Sequence, residues 1–186
     1  KSLYMQNLTK KQTLGCFFNN LGNCYLAVGN TNKAFEILTN ATEINPLLSE
    51  AHMNLGNIYL RREMPHEAIA KYQQALSILG QDAHAFNNLG SAYLQLGDYP
   101  KAESYYKTSL GLNPENIDAA RNLGQVYWLQ DRDQAGIEQL HDVLSVMPED
   151  TESRVLLGRI YEKQGNIDAA LDQFDAVIRY DPSNAS

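Results

Sequence analysis

The chain has 186 residues, a formal net charge of −7, 44% hydrophobic residues and two cysteines. That acidity argues against sequence-independent nucleic-acid binding, which is driven by phosphate neutralisation, and no run of about 18 apolar residues is present to span a bilayer. The opening stretch KSLYMQNLTKKQTL lacks a signal peptide's apolar core, so the cytoplasm is the default location, although a processed periplasmic chain would read identically.

One phrase recurs along the chain. Leu-Gly pairs stand at Leu21-Gly22, Leu55-Gly56, Leu89-Gly90, Leu123-Gly124 and Leu157-Gly158, each step being 34 residues. A tyrosine follows each glycine at Tyr25, Tyr59, Tyr93, Tyr127 and Tyr161, and a small residue follows each tyrosine at Ala34, Ala68, Ala102, Gly136 and Ala170. Units close on turns at Pro46, Pro114, Pro148 and Pro182, with Gly80 in the second unit's place.

Taken in chain order, residues 1–14 fall on positions 21–34 of a repeat whose first part is missing, with Tyr4 at position 24. They are expected to form a partial helix B, and the chain to be a segment of a longer protein. Five full units follow over 15–48, 49–82, 83–116, 117–150 and 151–184. In each, apolar residues at positions 4, 7, 8 and 11 have helical spacing, and positions 17–30 show the same habit. This predicts A helices over 15–28, 49–62, 83–96, 117–130 and 151–164, and B helices over 31–44, 65–78, 99–112, 133–146 and 167–180. Between A and B stand Gly29, Gly97 and Gly165, suited to a helix C-terminus, then Asn30, Asp98 and Asn166 as N-caps. Pro65 and Pro100 fall in the first turn of a B helix, where a missing N–H costs little. Glycine at position 8 and alanine at position 20 let the paired backbones approach closely, and Gly136 at position 20 is expected to loosen the fourth B helix. One two-helix unit cannot bury its own apolar face, so the core runs through neighbouring units.

A 34-residue period with Leu-Gly-x-x-Tyr, then Ala, then Pro, resembles the tetratricopeptide repeat (TPR) five times over. The resemblance implies an all-α, right-handed superhelical solenoid of antiparallel helix pairs, with a concave face lined mainly by A helices. At 100° per residue, positions 2, 6, 9 and 13 lie opposite the apolar stripe. Position 6 carries Asn20, Asn54, Asn88, Asn122 and then Leu156, and position 9 carries Asn23, Asn57, Ser91, Gln125 and Arg159. Asn19 and Asn87 double the asparagine at position 5, where Arg121 also stands. A carboxamide pairs with the N–H and C=O of an extended backbone whatever its sequence. With helices about 9 Å apart and about 3.3 Å per extended residue, four rungs would grip roughly nine residues. This column is similar to the asparagine ladder in the repeat domain of O-linked N-acetylglucosamine transferases, at position 6 of units one to four only. The alternative is that these asparagines, common in the family, are helix surface in contact with water.

A chaperone-tail clamp of the same family uses lysine at 5 and asparagine at 9, then asparagine at 6, then lysine at 2 and arginine at 6 of three successive repeats. Here those places hold Asn19, Asn23, Asn54, His84 and Asn88, so every cation is missing. Shifting the register by one repeat gives Met53, Asn57, Asn88, Asp118 and Asn122, again without a cation. The stripe carries Glu50, Asp118 and Glu152 against Arg61, Arg159 and Lys163, and its last repeats are its most cationic part, which would favour an acidic ligand end. The three acids also start helices, where the macrodipole favours them.

Other chemistry is absent from the pattern. His52, His66, His84 and His141 are scattered without a zinc spacing and are expected at exposed helix positions. DRDQAG from Asp131 departs from a calcium loop at Ala135 and Asp142, and reads as a polar turn. Cys16 and Cys24 lie about 12 Å apart along one helix, too far for a disulfide. No cofactor motif is found. Trp128 reads either as a groove-edge anchor or as a packing residue. The resulting expectation is a non-enzymatic module binding an extended peptide of a partner protein through Asn19, Asn20, Asn23, Asn54, Asn57, Asn87, Asn88, Ser91, Asn122, Gln125 and Arg159, with His84, Arg121 and Trp128 adding selectivity. The alternatives are a self-assembling structural array that uses its ends or its convex face, and the substrate-docking region of a larger glycosyltransferase-type enzyme.

Overall fold

The computed structural model describes residues 2–180, with side chains from Thr9 onward, so the side chain of Tyr4 and the turn residues Pro182 and Asn184 lie outside the described part. Ten helices make up this part: α1 (Ser2–Ala27), α2 (Thr31–Ile44), α3 (Ser49–Arg61), α4 (Pro65–Leu79), α5 (Ala83–Gln95), α6 (Tyr99–Leu112), α7 (Ile117–Leu129), α8 (Asp133–Val146), α9 (Thr151–Lys163) and α10 (Ile167–Tyr180). They fall into two compact units divided between Leu96 and Gly97, with α1–α5 in the first and α6–α10 in the second. Helices α2, α6, α8 and α10 coincide with the expected B segments, and α3, α5, α7 and α9 each end one residue sooner than expected. Residues 1–14 differ from expectation, because α1 runs unbroken from Ser2 through Leu14 to Ala27. At position 32, where the other units carry proline or glycine, the chain has Gln12, and nothing there stops a helix.

The turns follow their residues. Asn30, Asp98 and Asn166 accept hydrogen bonds from the backbone N–H of Lys33, Lys101 and Ala169 at 3.1, 3.2 and 3.3 Å. Gly29, Gly97 and Gly165 take φ of 76°, 74° and 75°, the left-handed region that a glycine enters without strain. Glu63 and Asp131 hold the same place with φ of 58°, so two of the five turns keep this conformation with a side chain present.

The A helices α3, α7 and α9 are each buried on two sides, against the B helix that follows and the one before. Toward its own B helix, position 8 must be glycine: a Cβ on Gly22 would stand 2.6 Å from Leu38, and one on Gly124 2.8 Å from Leu140. Toward the preceding B helix, positions 3 and 10 are buried as well, through Ala51 and Ile58 in α3 and Ser153 and Ile160 in α9. The apolar stripe is therefore wider than positions 4, 7, 8 and 11. In the first unit Ala34, Leu38, Ala41, Ala51, Leu55 and Ile58 form one cluster; in the second Ile137, Leu140, Leu157 and Ile160 form another. Helix α8 continues through Gly136 without a break, since the glycine N–H still donates to Arg132 O at 3.1 Å. His52 is buried rather than exposed, because position 4 faces the core; its Nε2 pairs with Pro46 O at 2.9 Å. His66, His84 and His141 are exposed.

Candidate functional site

In the first unit the asparagines of successive A helices are bonded to one another. Asn54 Nδ2 of α3 donates to Asn23 Oδ1 of α1 at 2.7 Å and to Asn19 Oδ1 at 3.4 Å. Asn88 Nδ2 of α5 repeats this toward Asn57 Oδ1 of α3 at 3.1 Å, and the same oxygen accepts from Tyr72 O–H at 2.8 Å. Burial pushes the Tyr72 phenol well above its usual pKa, so it stays a donor. Asn19 is 1% exposed and donates to Glu50 Oε2 at 3.2 Å, which makes it a support for the neighbouring helix rather than a surface group. The bonds order the amides: position 6 spends its N–H groups and position 9 its carbonyl. What these bonds leave unused differs, the carbonyl at Asn54 and the N–H groups at Asn23 and Asn57, while the Asn88 carbonyl accepts from Asn87 Nδ2 at 3.5 Å. Beside them Asn23, Ser49, Glu50, Met53, Asn54, Leu79 and Asp82 line an open hollow of about 410 Å³ with both polar and apolar walls.

In the second unit an ionic cluster links successive A helices. Arg121 of α7 forks onto Asp150, Nε to Oδ2 and Nη2 to Oδ1, both at 3.0 Å. Its Nη1 reaches Glu152 Oε2 at 2.5 Å and Nη2 reaches Asp118 Oδ1 at 3.2 Å. Asp150 also caps α9 by accepting from Ser153 N–H at 3.0 Å. Burial pushes the Asp150 carboxyl up, but the hydrogen bonds from Ser153 and Arg121 outweigh it and hold the group below the usual carboxylate range. Lys163 is likewise taken up by Asp131 and Asp133, at 2.7 and 2.9 Å. The expected cationic character of the last repeats is therefore reduced: acids from position 34 and from neighbouring turns, which a single-helix projection does not bring together, neutralise Arg121 and Lys163, and Arg159 stays exposed. The same contacts make the DRDQAG stretch a polar, ion-paired turn. Among the described residues no group of three or more His, Cys, Asp or Glu is placed to hold a metal ion.

The remaining expected site residues divide. Asn20, His84 and Arg159 are exposed, and Asn87, Ser91, Asn122 and Gln125 are half-buried, Ser91 donating to Asn87 O at 3.2 Å. Trp128 packs against the Ile137, Leu140, Leu157 and Ile160 cluster, so packing accounts for it. Sequence reasoning missed Asp150, although an acid just before an A helix is an N-cap signal. It also missed an open hollow of about 610 Å³ lined by α7, α9 and α10, whose signal was the loss of asparagine at Leu156. No helix of the described residues is long and apolar enough to cross a membrane.

Comparison with known proteins agrees with the fold. Models described as the tetratricopeptide repeat match residues 13–81 and 47–115, 87–144, and 130–186. No curated protein sequence matches the chain. Among solved structures, Pseudomonas aeruginosa pilF is similar with a TM-score of 0.80 at 22% identity, covering 92% of this chain and 78% of its own. MamA 41-end from Desulfovibrio magneticus RS-1 gives 0.78 at 18% identity, covering 92% and 97%. YrrB, described as a TPR protein with an unusual peptide-binding site, gives 0.67 at 22% identity, covering 89% and 85%. The period, the helix pairs and the matched models together show that the chain belongs to the tetratricopeptide repeat family.

Proposed function

We propose that the chain is a non-enzymatic interaction module that holds an extended segment of a partner protein against the asparagine-bearing faces of its A helices. One observation carries this reading: in the amide-to-amide bonds Asn54–Asn23 and Asn88–Asn57 position 6 donates and position 9 accepts, so these bonds do not use the carbonyl of Asn54 or the N–H groups of Asn23 and Asn57. An extended backbone offers the complementary N–H and C=O at every residue, whereas a helix has already spent them. The amides are held in orientation before a ligand arrives, which lowers the ordering cost of binding. The family and the peptide-binding site named for the similar protein YrrB support the same class of role.

The test is a displayed library of random nine-residue peptides panned against the wild-type chain and against Asn54→Ala/Asn88→Ala, with helicity matched by circular dichroism. Peptides selected on the wild type are expected to bind the double variant at least tenfold more weakly. Equal binding to both would assign the asparagines to coupling between repeats alone.

A further inference from the structure

The second and fourth repeats share a pair of acids but not the arginine between them. In the fourth, Arg121 at position 5 pairs with Asp118 at position 2, at 3.2 Å, and forks onto Asp150 at position 34, both arms at 3.0 Å. In the second repeat positions 2 and 34 are again acids, Glu50 and Asp82, but position 5 is Met53. Glu152, the third acid of the Arg121 cluster, has His84 in the corresponding place. Instead of a guanidinium, the open hollow of about 410 Å³ lies against Glu50, Met53 and Asp82, and its lining holds these two carboxylates and no cation. It is bounded by α1, α3 and the turn between α4 and α5, all within the first unit. Among the described residues the side-chain partners of both acids are neutral: Glu50 accepts from the Asn19 amide at 3.2 Å and Asp82 from the Ala85 N–H at 2.7 Å. Such a cap does not exhaust a carboxylate, since Asp150 accepts from the Ser153 N–H and from both arms of Arg121 at once.

The geometry points to this hollow as a socket for an arginine side chain of the bound segment. The assignment rests on the reading that the A-helix faces hold an extended partner segment, and it names one side chain of that segment. Two carboxylates without a counter-charge attract a cation and repel an acid. A guanidinium carries its donors in a planar fork, and Arg121 shows that acids at positions 2 and 34 receive one in this register. A lysine brings the charge without the fork and is held less well. The methylene stem of an arginine needs an apolar wall, which Met53 and the 46% exposed Leu79 supply. Asn23 and Asn54, joined by the 2.7 Å amide bond, line the same hollow, so the carboxamides that meet the backbone stand beside the socket that takes the side chain.

The experiment pans the random nine-residue peptide library on the wild-type chain, on Met53→Arg, on Glu50→Gln/Asp82→Asn and on Asn88→Ala. Met53→Arg gives the second repeat the arginine that the fourth has, so the chain fills its own socket. Glu50→Gln/Asp82→Asn removes both charges and keeps an acceptor for Asn19 and a cap for the Ala85 N–H. Circular dichroism and melting check that each variant folds. Arginine is expected to be enriched at least tenfold at one peptide position on the wild type, and not on Met53→Arg or Glu50→Gln/Asp82→Asn. In the tightest peptide, citrulline in place of that arginine is expected to weaken binding to the wild type at least tenfold, and lysine several-fold, with neither change felt by the charge-free variant. Equal binding of the lysine peptide would overturn the arginine assignment. Wild-type binders without arginine, or an arginine preference that survives both socket variants, would overturn the socket and leave the module reading standing, provided Asn88→Ala, whose residue lies outside the hollow's lining, still weakens capture. No binder selected on any protein would remove both. Sedimentation equilibrium supplies the remaining outcome: a wild-type dimer that Met53→Arg dissociates would put a second copy in the hollow, against the proposal.

Discussion

Asn54 reaches back 31 residues to Asn23, and Arg121 reaches forward 31 residues to Glu152. The step is the same because stacked A helices are offset by one repeat less about one helical turn, yet the chemistry differs. In the first unit neutral amides join successive A helices, and in the second a guanidinium joins carboxylates. One backbone register therefore supports two kinds of coupling. The amides are indifferent to pH and salt and leave groups to offer a ligand, whereas the ionic fork binds α7 firmly to the start of α9 and spends its cation doing so.

The comparison is broken most severely at Arg121. Replacing it with methionine strands Asp150, which is only 8% exposed, and is expected to cost about 2–3 kcal/mol, less than for a fully buried pair because the Glu152 arm is exposed. Urea unfolding followed by circular dichroism measures the loss, and faster hydrogen exchange in α9 locates it. Asn54→Ala removes a neutral coupling and is expected to cost about 1 kcal/mol, with the same value in low and high salt. A similar cost for both variants would dissolve the distinction.

Acid sharpens it. Asp150 is depressed in the folded chain, so its contribution is fully present above the unfolded carboxylate pKa, about 3.9, and is lost as pH falls through the lower folded value. Hydrogen exchange between pH 5 and 3 is expected to show α9 losing protection before α3, whose amide links do not titrate. The smallest expected effect is a gain. Glu63→Gly relieves a left-handed residue at φ 58° and should stabilise the first unit by up to about 1 kcal/mol. Asp131→Gly in the second unit relieves the same strain but gives up the Lys163 pair, so its melting temperature should rise less.

Much of this was legible in the 34-residue period. Helix bounds from α2 onward, the caps at Asn30, Asp98 and Asn166 and the glycine at position 8 are short-range or strictly periodic signals, and the structure places them within a residue of where the sequence does. What was hidden depends on contacts between repeats. Arg121 reads as a groove cation until Asp150 and Glu152, from the next boundary and the next helix, close on it. His52 is the exception: it stands at position 4, on the apolar stripe already visible in the sequence, so its burial was legible there. The apolar hollow needs Phe174 and Ile178 from a B helix beside Leu156 from an A helix, a pairing that no single-helix projection contains. The unbroken α1 shows the reverse limit: a period suggests a boundary after residue 14, but Gln12 supplies no residue to make one.

Backbone methylation tests the central claim most directly. The tightest nine-residue library peptide, with and without N-methyl groups at alternate backbone nitrogens, is titrated calorimetrically into the wild-type chain and into Asn54→Ala/Asn88→Ala. If amides grip the backbone, methylation in one of the two registers weakens binding at least tenfold on the wild type and far less on the variant. Equal affinity for methylated and unmethylated peptide, or equal losses on both proteins, would contradict the account and leave the asparagines as links between helices only.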